Sequence, residues 1–371
     1  MHQVTTTPIL QFGTSRLLQA HADLFLSEAL AQGRGLGRIT IVQSSGDTGR
    51  SRRLAALAAP EGFPVRIRGL EAGQSIDRSL RVTSVARALS TAAHWPEICR
   101  IGAEEAEIIL SNTADAGYAP NPVDSSAGFD QAMSFPAKLT HLLQHRYRTN
   151  GRPVQIMPVE LIPNNGRVLR DRVLDIVQDP GFRHWLQTRV RWVNSLVDRI
   201  VSEPIEPAGA IAEPYALWAI EDQPGLILPC THASIQVYSS LEEPASLKLF
   251  LLNLAHTVMA DDWLSMGQPE GVFVRHVMAE AAARAGLEQL YRDEILPGFK
   301  AAGMGDTATR YVGTTLERFA NPFLDHKISD IAQNHPEKIQ RRCHGFLDWA
   351  AGYGDLATKP RLSALAAKAA R

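Results

Sequence analysis

The sequence predicts an α/β fold in two parts: a mostly parallel sheet flanked by helices over residues 1–206, then a mainly α-helical domain over 207–371. Three observations carry this. Up to about residue 205, short apolar runs alternate with longer amphipathic stretches, the rhythm of a parallel sheet covered on both faces. Beyond Pro207 the β-branched runs fade and apolar residues recur at helical spacing. Between the halves lies VSEPIEPAGAIAEP, 201–214, whose prolines interrupt helix and central strand alike and so suggest a hinge.

Taken in order, the first strand is 9–12, followed by a turn at Gly13 and an amphipathic run from Arg16 to Leu30. Further strands are expected at 39–42, 65–70, 108–110, 154–158 and 190–193, each a short apolar run rich in β-branched residues. Helical spacing marks 245–264, 271–286 and 309–320, and the alanine-rich tail 362–371 reads as a fraying helix.

Composition narrows the function classes. A chain of 371 residues, 45% hydrophobic and 21% charged, can bury two separate cores. Its net charge of -1 supplies no basic excess to draw nucleic acid or anionic lipid, so neither is an expected partner. The opening MHQVTTTP has neither a basic segment nor an apolar run, and no window approaches the roughly 20 apolar residues of a membrane span. A cytoplasmic protein is expected. Cys99, Cys230 and Cys343 are odd in number and far apart, which suits free thiols; with no HExxH or comparable ligand pair, no metal is expected.

The first candidate for chemistry is ILQFGTSRLLQAHADLF, 9–25. Gly13 lies between an apolar strand and an amphipathic run, where a phosphate-binding turn would present helix N–H groups to a pyrophosphate. Ser15 and Leu18 stand where GxGxxG has its second and third glycines, so an ordinary strand-to-helix turn fits the same spelling. At the end of the next strand an acidic residue would grip a ribose 2′-hydroxyl. Here Gln43, Ser44 and Ser45 stand instead, with Arg50, Arg52 and Arg53 beyond, leaving NAD and NADP both open.

The second candidate is SLKLFLLNLAHTVMA, 246–260. On a regular helix His256 lies about 80° and Asn253 about 140° from Lys248, on one broad face of an apolar helix. A lysine reaching solvent, with Asn253 and His256 hydrogen-bonded inside the protein, accounts for that pattern. So does metal-free alcohol oxidation. A lysine in a water-poor cleft gives up its proton more readily and can take the hydroxyl proton, while the amide and imidazole hold the developing alkoxide. In ERFANPFLDHKISD, Arg318, Asn321, His326 and Lys327 could reach a substrate carboxylate, although a solvated helix end explains the same charges.

Seven segments in order, FGTSRLLQAH, SNTADAGY, SFPAKLTHLL, PVELIPNNGRVLRD, VNSLVDRI, EPYALWAIE and LKLFLLNLAHT, resemble the polyol-specific long-chain dehydrogenases, which include mannitol 2-dehydrogenase, fructuronate reductase and tagaturonate reductase. The resemblance spans about 9–330. It implies a Rossmann-type dinucleotide-binding domain over 1–206, a helical catalytic domain over 207–371 and a site in the cleft between them. ELI..NG and NTADAG are closer to the tagaturonate and fructuronate reductase branch. The family's K-x4-N-x2-H pattern falls on Lys248, Asn253 and His256, with the lysine as general acid/base. A further family asparagine matches Asn165, with Asn164 beside it, although Val159-Glu160-Leu161 stands where mannitol-type members have Cys-Asp-Asn. Gly13, Ser15 and Arg16 match the first cofactor turn, and Asn112 and Thr113 the segment beneath the nicotinamide; with Gln43 and Ser44 they form the expected cofactor set.

The expected protein is therefore a metal-independent NAD(P)-dependent oxidoreductase, monomeric or homodimeric. Its substrate would be a sugar-derived alcohol, an aldonate or polyol, paired with its ketone, with tagaturonate or fructuronate as the leading keto acids. A mannitol-type dehydrogenase of neutral or phosphorylated polyols is one alternative; a silent dinucleotide-binding or dimerisation protein is another.

Overall fold

The computed structural model describes residues 6–47, 49, 51–113 and 115–369. Arg50, most of the opening segment and the end of the alanine-rich tail lie outside the described residues.

The dominant sheet has six parallel strands: β1 Ile9–Phe12, β2 Ile39–Gln43, β5 Val85–Ser90, β6 Ile108–Ser111, β7 Val154–Pro158 and β8 Val190–Trp192. Across it they run β5-β2-β1-β6-β7-β8. Ile9 pairs with Ile39 on one side and Ile108 on the other. Every residue of β1, β2, β6 and β7 is buried, as expected for central strands covered on both faces. Counted in chain order this is the doubly wound arrangement. The order reverses between β1 and β6, and the crevice at their carboxyl ends is where such sheets take ligands.

Two smaller sheets complete the β-structure. β3 Phe63–Glu71 and β4 Gln74–Val82 form a hairpin after β2, and β10 Val201–Pro204 and β11 Ala210–Ala212 join it in the order β10-β11-β3-β4. β9 Ser195–Asp198, β12 Leu217–Glu221 and β13 Ile235–Tyr238 form the third sheet, β13-β12-β9. Within the proline-rich passage 201–214, residues 201–212 belong to the first of two compact units and 213–214 to the second. Residues 201–212 fold as an antiparallel pair, and Pro204 is tolerated at the end of an edge strand, where a missing N–H breaks no central ladder. Strand structure also persists to Tyr238, beyond the expected start of the helical half.

The chain divides into two compact units near Leu241 rather than near 206. The first comprises 1–67, 78–212 and 216–241; the second comprises 68–77, 213–215 and 242–371. In the first, Phe12, Phe135, Leu139, Leu142, Phe182 and Trp185 belong to one buried cluster beside the large sheet. In the second, Phe250, Leu254, Tyr291, Ile295, Phe299 and Phe346 anchor a helical core. No described helix is long and apolar enough to cross a membrane.

Candidate active site

In the first unit the residues that follow three strands converge. Gly13 and Ser15 after β1, Gln43 and Ser44 at the end of β2, and Asn112 and Thr113 after β6 line one cavity of about 470 Å³, joined by Arg53 and Lys138. That volume lies within the range of small-molecule sites, and its position is the switch point of the sheet. Arg16, the remaining member of the expected cofactor set, lines a neighbouring cavity that shares Arg53, and its guanidinium donates to exposed Glu206 at 2.7 Å.

Hydrogen bonds explain the shape of this cradle. Gly13 has φ +130°, and a Cβ there would stand 2.6 Å from the Asn112 carbonyl oxygen, so the turn after β1 can lie against the end of β6 only without a side chain. Ser15 stands where a second glycine is usual and works as a cap: its Oγ accepts from the Leu18 N–H and donates to Asn112 Oδ1 at 2.7 Å. The first-turn N–H groups of Arg16 and Leu17 have no acceptor within their own helix. Gln43 turns its amide into its own loop, donating to Ser45 Oγ and the Asp47 carbonyl, while the Ser44 carbonyl accepts from Lys138 Nζ at 2.7 Å. Burial lowers the Lys138 pKa, partly offset by Asp130 and Asp124. A glycine that must stay bare, a capped turn and a cation-lined cavity at the switch point fit a dinucleotide.

Glu160 is the residue the sequence reading passed over. Buried at the carboxyl end of β7, it accepts from the Thr113 N–H at 3.0 Å and from Ser111 Oγ at 3.1 Å, which fixes the floor segment after β6. Burial raises its pKa, against the Thr113 hydrogen bond. The available signal was an acidic residue directly after a central parallel strand, where ligand crevices form.

Asn165 is surrounded by backbone groups. It is fully buried; its Nδ2 donates to the carbonyls of Pro158, Glu160 and Ser195, and its Oδ1 accepts from the N–H groups of Gly166 and Ser195. An amide saturated in this way ties β7 to β9. Asn164 beside it is exposed, in the left-handed region at φ 53°. Leu161, in the place of the mannitol-type asparagine, is 66% exposed and carries no polar group.

In the second unit, 242–265 is helical throughout but not uniformly α. Glu242–Leu247 and Leu254–Ser265 are α-helical, and Lys248–Asn253 between them is a π-turn, in which the Leu254 N–H donates to the Leu249 carbonyl. The hydrogen-bonded ring of a π-turn closes five residues on, so Asn253 follows Lys248 by about one turn of the wider spiral rather than standing about 140° away. His256, three α-helical residues later, lies about 60° from Asn253. The sequence-predicted trio therefore clusters more tightly than a straight helix allows. Lys248 and Asn253 are half-buried; His256 is buried, its ring 4.6 Å from Phe319 and 4.9 Å from His326.

The expected carboxylate binders have other employment. Arg318 makes a two-pronged, buried pair with Glu213 at 2.7 and 2.9 Å and lies over the Tyr215 ring. Asn321 donates to the Arg68 carbonyl and accepts from the Phe323 N–H. His326 adjoins the Lys248 helix through the His256 ring, and the helix Gly305–Phe319 that carries Arg318 packs against the Lys248–Asn253 segment. The three cysteines are free and buried, and no cluster of three or more metal-ligating side chains occurs among the described residues.

Comparison with known proteins agrees with this architecture. Residues 8–227 match the mannitol dehydrogenase Rossmann domain and 241–354 the mannitol dehydrogenase C-terminal domain. The altronate oxidoreductase of Halalkalibacterium halodurans is 29% identical over 94% of this chain and 72% of its own; that of Bacillus subtilis is 28% identical over 90% and 73%. Among solved structures, a substrate-free D-sorbitol dehydrogenase superposes with a TM-score of 0.77 at 18% identity, over 91% of this chain and 74% of its own. Pseudomonas fluorescens mannitol 2-dehydrogenase, solved with NAD and D-mannitol, does so with a TM-score of 0.69 at 16% identity, over 99% and 85%. With both family domains matched in order over most of its length, the chain belongs to the mannitol dehydrogenase family, oxidoreductases of the polyol and aldonate type.

Proposed function

We propose that this protein is a metal-independent, NAD(P)-dependent dehydrogenase of an aldonate, interconverting the secondary alcohol of an altronate-class sugar acid with the ketone of the corresponding hexuronate-type keto acid. The observation that carries the reading is the π-turn that sets Asn253 one turn from Lys248, with His256 beside it. In the oxidation direction Lys248 Nζ takes the hydroxyl proton as the C–O bond gains double-bond character. Asn253 and His256 hydrogen-bond the oxygen while it carries negative charge. Bound in the cradle of Gly13, Ser15, Asn112 and Thr113, the dinucleotide would accept the hydride and return it in reduction. The aldonate is favoured over a neutral polyol by the altronate oxidoreductase relatives and by the Val159-Glu160-Leu161 run, which lacks the mannitol-type amide.

The test is a panel of aldonates and neutral polyols, each with NAD and NADP at alkaline pH. Reduction of the dinucleotide with altronate or a related aldonate, faster than with mannitol or sorbitol, is the expected result. Because Ser44, Arg53 and Lys138 line the cradle where an acidic residue would select NAD, kcat/KM for the two dinucleotides is expected to differ by less than about a thousandfold, roughly 4 kcal/mol. Faster oxidation of a neutral polyol overturns the substrate class, and no turnover with any substrate favours a silent dinucleotide-binding protein.

A further inference from the structure

Among its described residues the second unit has three π-turns, Lys248–Asn253, Tyr291–Ile295 and Gln340–His344, and the first packs against the other two. A π-turn is a costly insertion in an α-helix, so its register has to be held by contacts from outside the helix's own pairing. Around the exit of the first π-turn, side chains from the other two supply donors. The buried Tyr291 hydroxyl donates to the Leu251 carbonyl at 2.7 Å. Arg342 Nη1 donates to the Asn253 carbonyl at 3.0 Å and to Thr257 Oγ1 at 2.9 Å, and the Thr257 hydroxyl donates to the same Asn253 carbonyl at 3.1 Å. Arg342 is half-buried and lies in the π-turn that contributes it.

From this geometry we infer that Tyr291 and Arg342 are positioning residues: by satisfying the Leu251 and Asn253 carbonyls they hold the 248–253 segment in its π register and so keep Asn253 one turn from Lys248. The inference rests on the proton-transfer role proposed for Lys248 and deepens it. Without their donors the helix can shed the extra residue's bulge into regular α pairing, which swings Asn253 back to about 140° from Lys248. Tyr291 also illustrates how narrow the requirement is, since its ring fills the core and its hydroxyl alone reaches the carbonyl.

The experiment compares Tyr291→Phe, Arg342→Met and Arg342→Lys with Lys248→Ala in the full-length enzyme. Trp263→Phe serves as control; it removes a side-chain bond of similar length, Nε1 to the Pro269 carbonyl at 2.9 Å, in the same unit but outside the π-turns. For each protein kcat, KM, NADH affinity and Tm are measured. Tyr291→Phe and Arg342→Met are expected to lose at least about 10²-fold in kcat, since even a misplacement near 1 Å has that cost, with NADH affinity unchanged. Arg342→Lys regains part of the loss, because an ammonium can still donate to the Asn253 carbonyl. Trp263→Phe lowers Tm but keeps kcat. If Tyr291→Phe and Arg342→Met keep kcat while Lys248→Ala loses it, the positioning role is wrong and the proton-transfer reading stands. An equal kcat loss in Trp263→Phe likewise overturns it. Full turnover in Lys248→Ala overturns the reading and the inference together. Should Arg342→Met fail to fold, Tyr291→Phe decides alone.

Discussion

The cradle of the first unit and the helix of the second solve different problems in different ways. The cradle is assembled from turns at the ends of β1, β2 and β6, and its working groups are largely backbone, with side chains such as Ser15, Glu160 and Lys138 fixing the loops around them. The 242–265 helix presents side chains directly, and the register of its π-turn sets their relation. A binding site for a large ligand tolerates imperfect turn spelling because many weak contacts share the load. A proton-transfer site depends on a few atoms, so irregular backbone there points to function more sharply than the missing glycines count against binding.

If this contrast is right, the two regions fail differently when altered. The largest effect is expected at Lys248: Lys248→Ala should slow the chemical step by about 10² to 10⁴, the range of positioned general acid/base catalysis, measured by single-turnover oxidation. Gly13→Ala should instead weaken dinucleotide binding. Its φ of +130° and the 2.6 Å approach to the Asn112 carbonyl imply about 1–3 kcal/mol of strain, roughly tenfold to a hundredfold in affinity by titration.

A smaller effect concerns stability in the first unit. Asp23 is fully buried, and burial pushes its pKa up to about 8, against the Gln11 side chain, which acts in the opposite direction. His21, two residues away, is also buried, and its pKa is pushed down to about 3. Folded Asp23 holds a proton that the unfolded chain has lost, so its contribution falls as pH rises from about 4 to about 8, by up to about 1.4 kcal/mol per unit. Folded His21 lacks a proton that the unfolded chain binds, so its contribution rises with pH between about 3 and 6.5. The two slopes oppose each other below pH 6.5, and only that of Asp23 remains above it. Denaturant unfolding should show stability falling between pH 6.5 and 8, and Asp23→Asn should flatten that fall. The smallest expected effect is that of a chelator: exhaustive treatment should leave turnover unchanged, and loss restored by zinc would contradict a lysine-based mechanism.

Much of this was legible in the chain. The fully buried strands β1, β2, β6 and β7 announce themselves as short, mostly apolar runs broken by single polar residues such as Gln11 and Gln155, and Gly13 between a strand and an amphipathic stretch marks the cradle. The β3–β4 hairpin was only half visible because β4 is largely exposed and carries little apolar signal. β10 and β11 were hidden by prolines that an edge pair accommodates. Apolar spacing found the 242–265 helix but not its π-turn, because residues 250–252 and 254–260 are buried all round the helix, and a shift of helical phase leaves no mark on a pattern without a polar face. Pairings across long sequence distances were out of reach: nothing near Arg318 signals its commitment to Glu213, and nothing near Asn165 signals that three carbonyls claim its amide.

The central claim is that binding and proton transfer reside in different units, and Lys248→Ala tests it most directly when NADH titration and single-turnover oxidation are measured on the same preparation. The expected result is NADH affinity close to that of the wild type alongside a chemical step slowed by at least about 10². Near-normal turnover, or an affinity that collapses together with the rate, would contradict it.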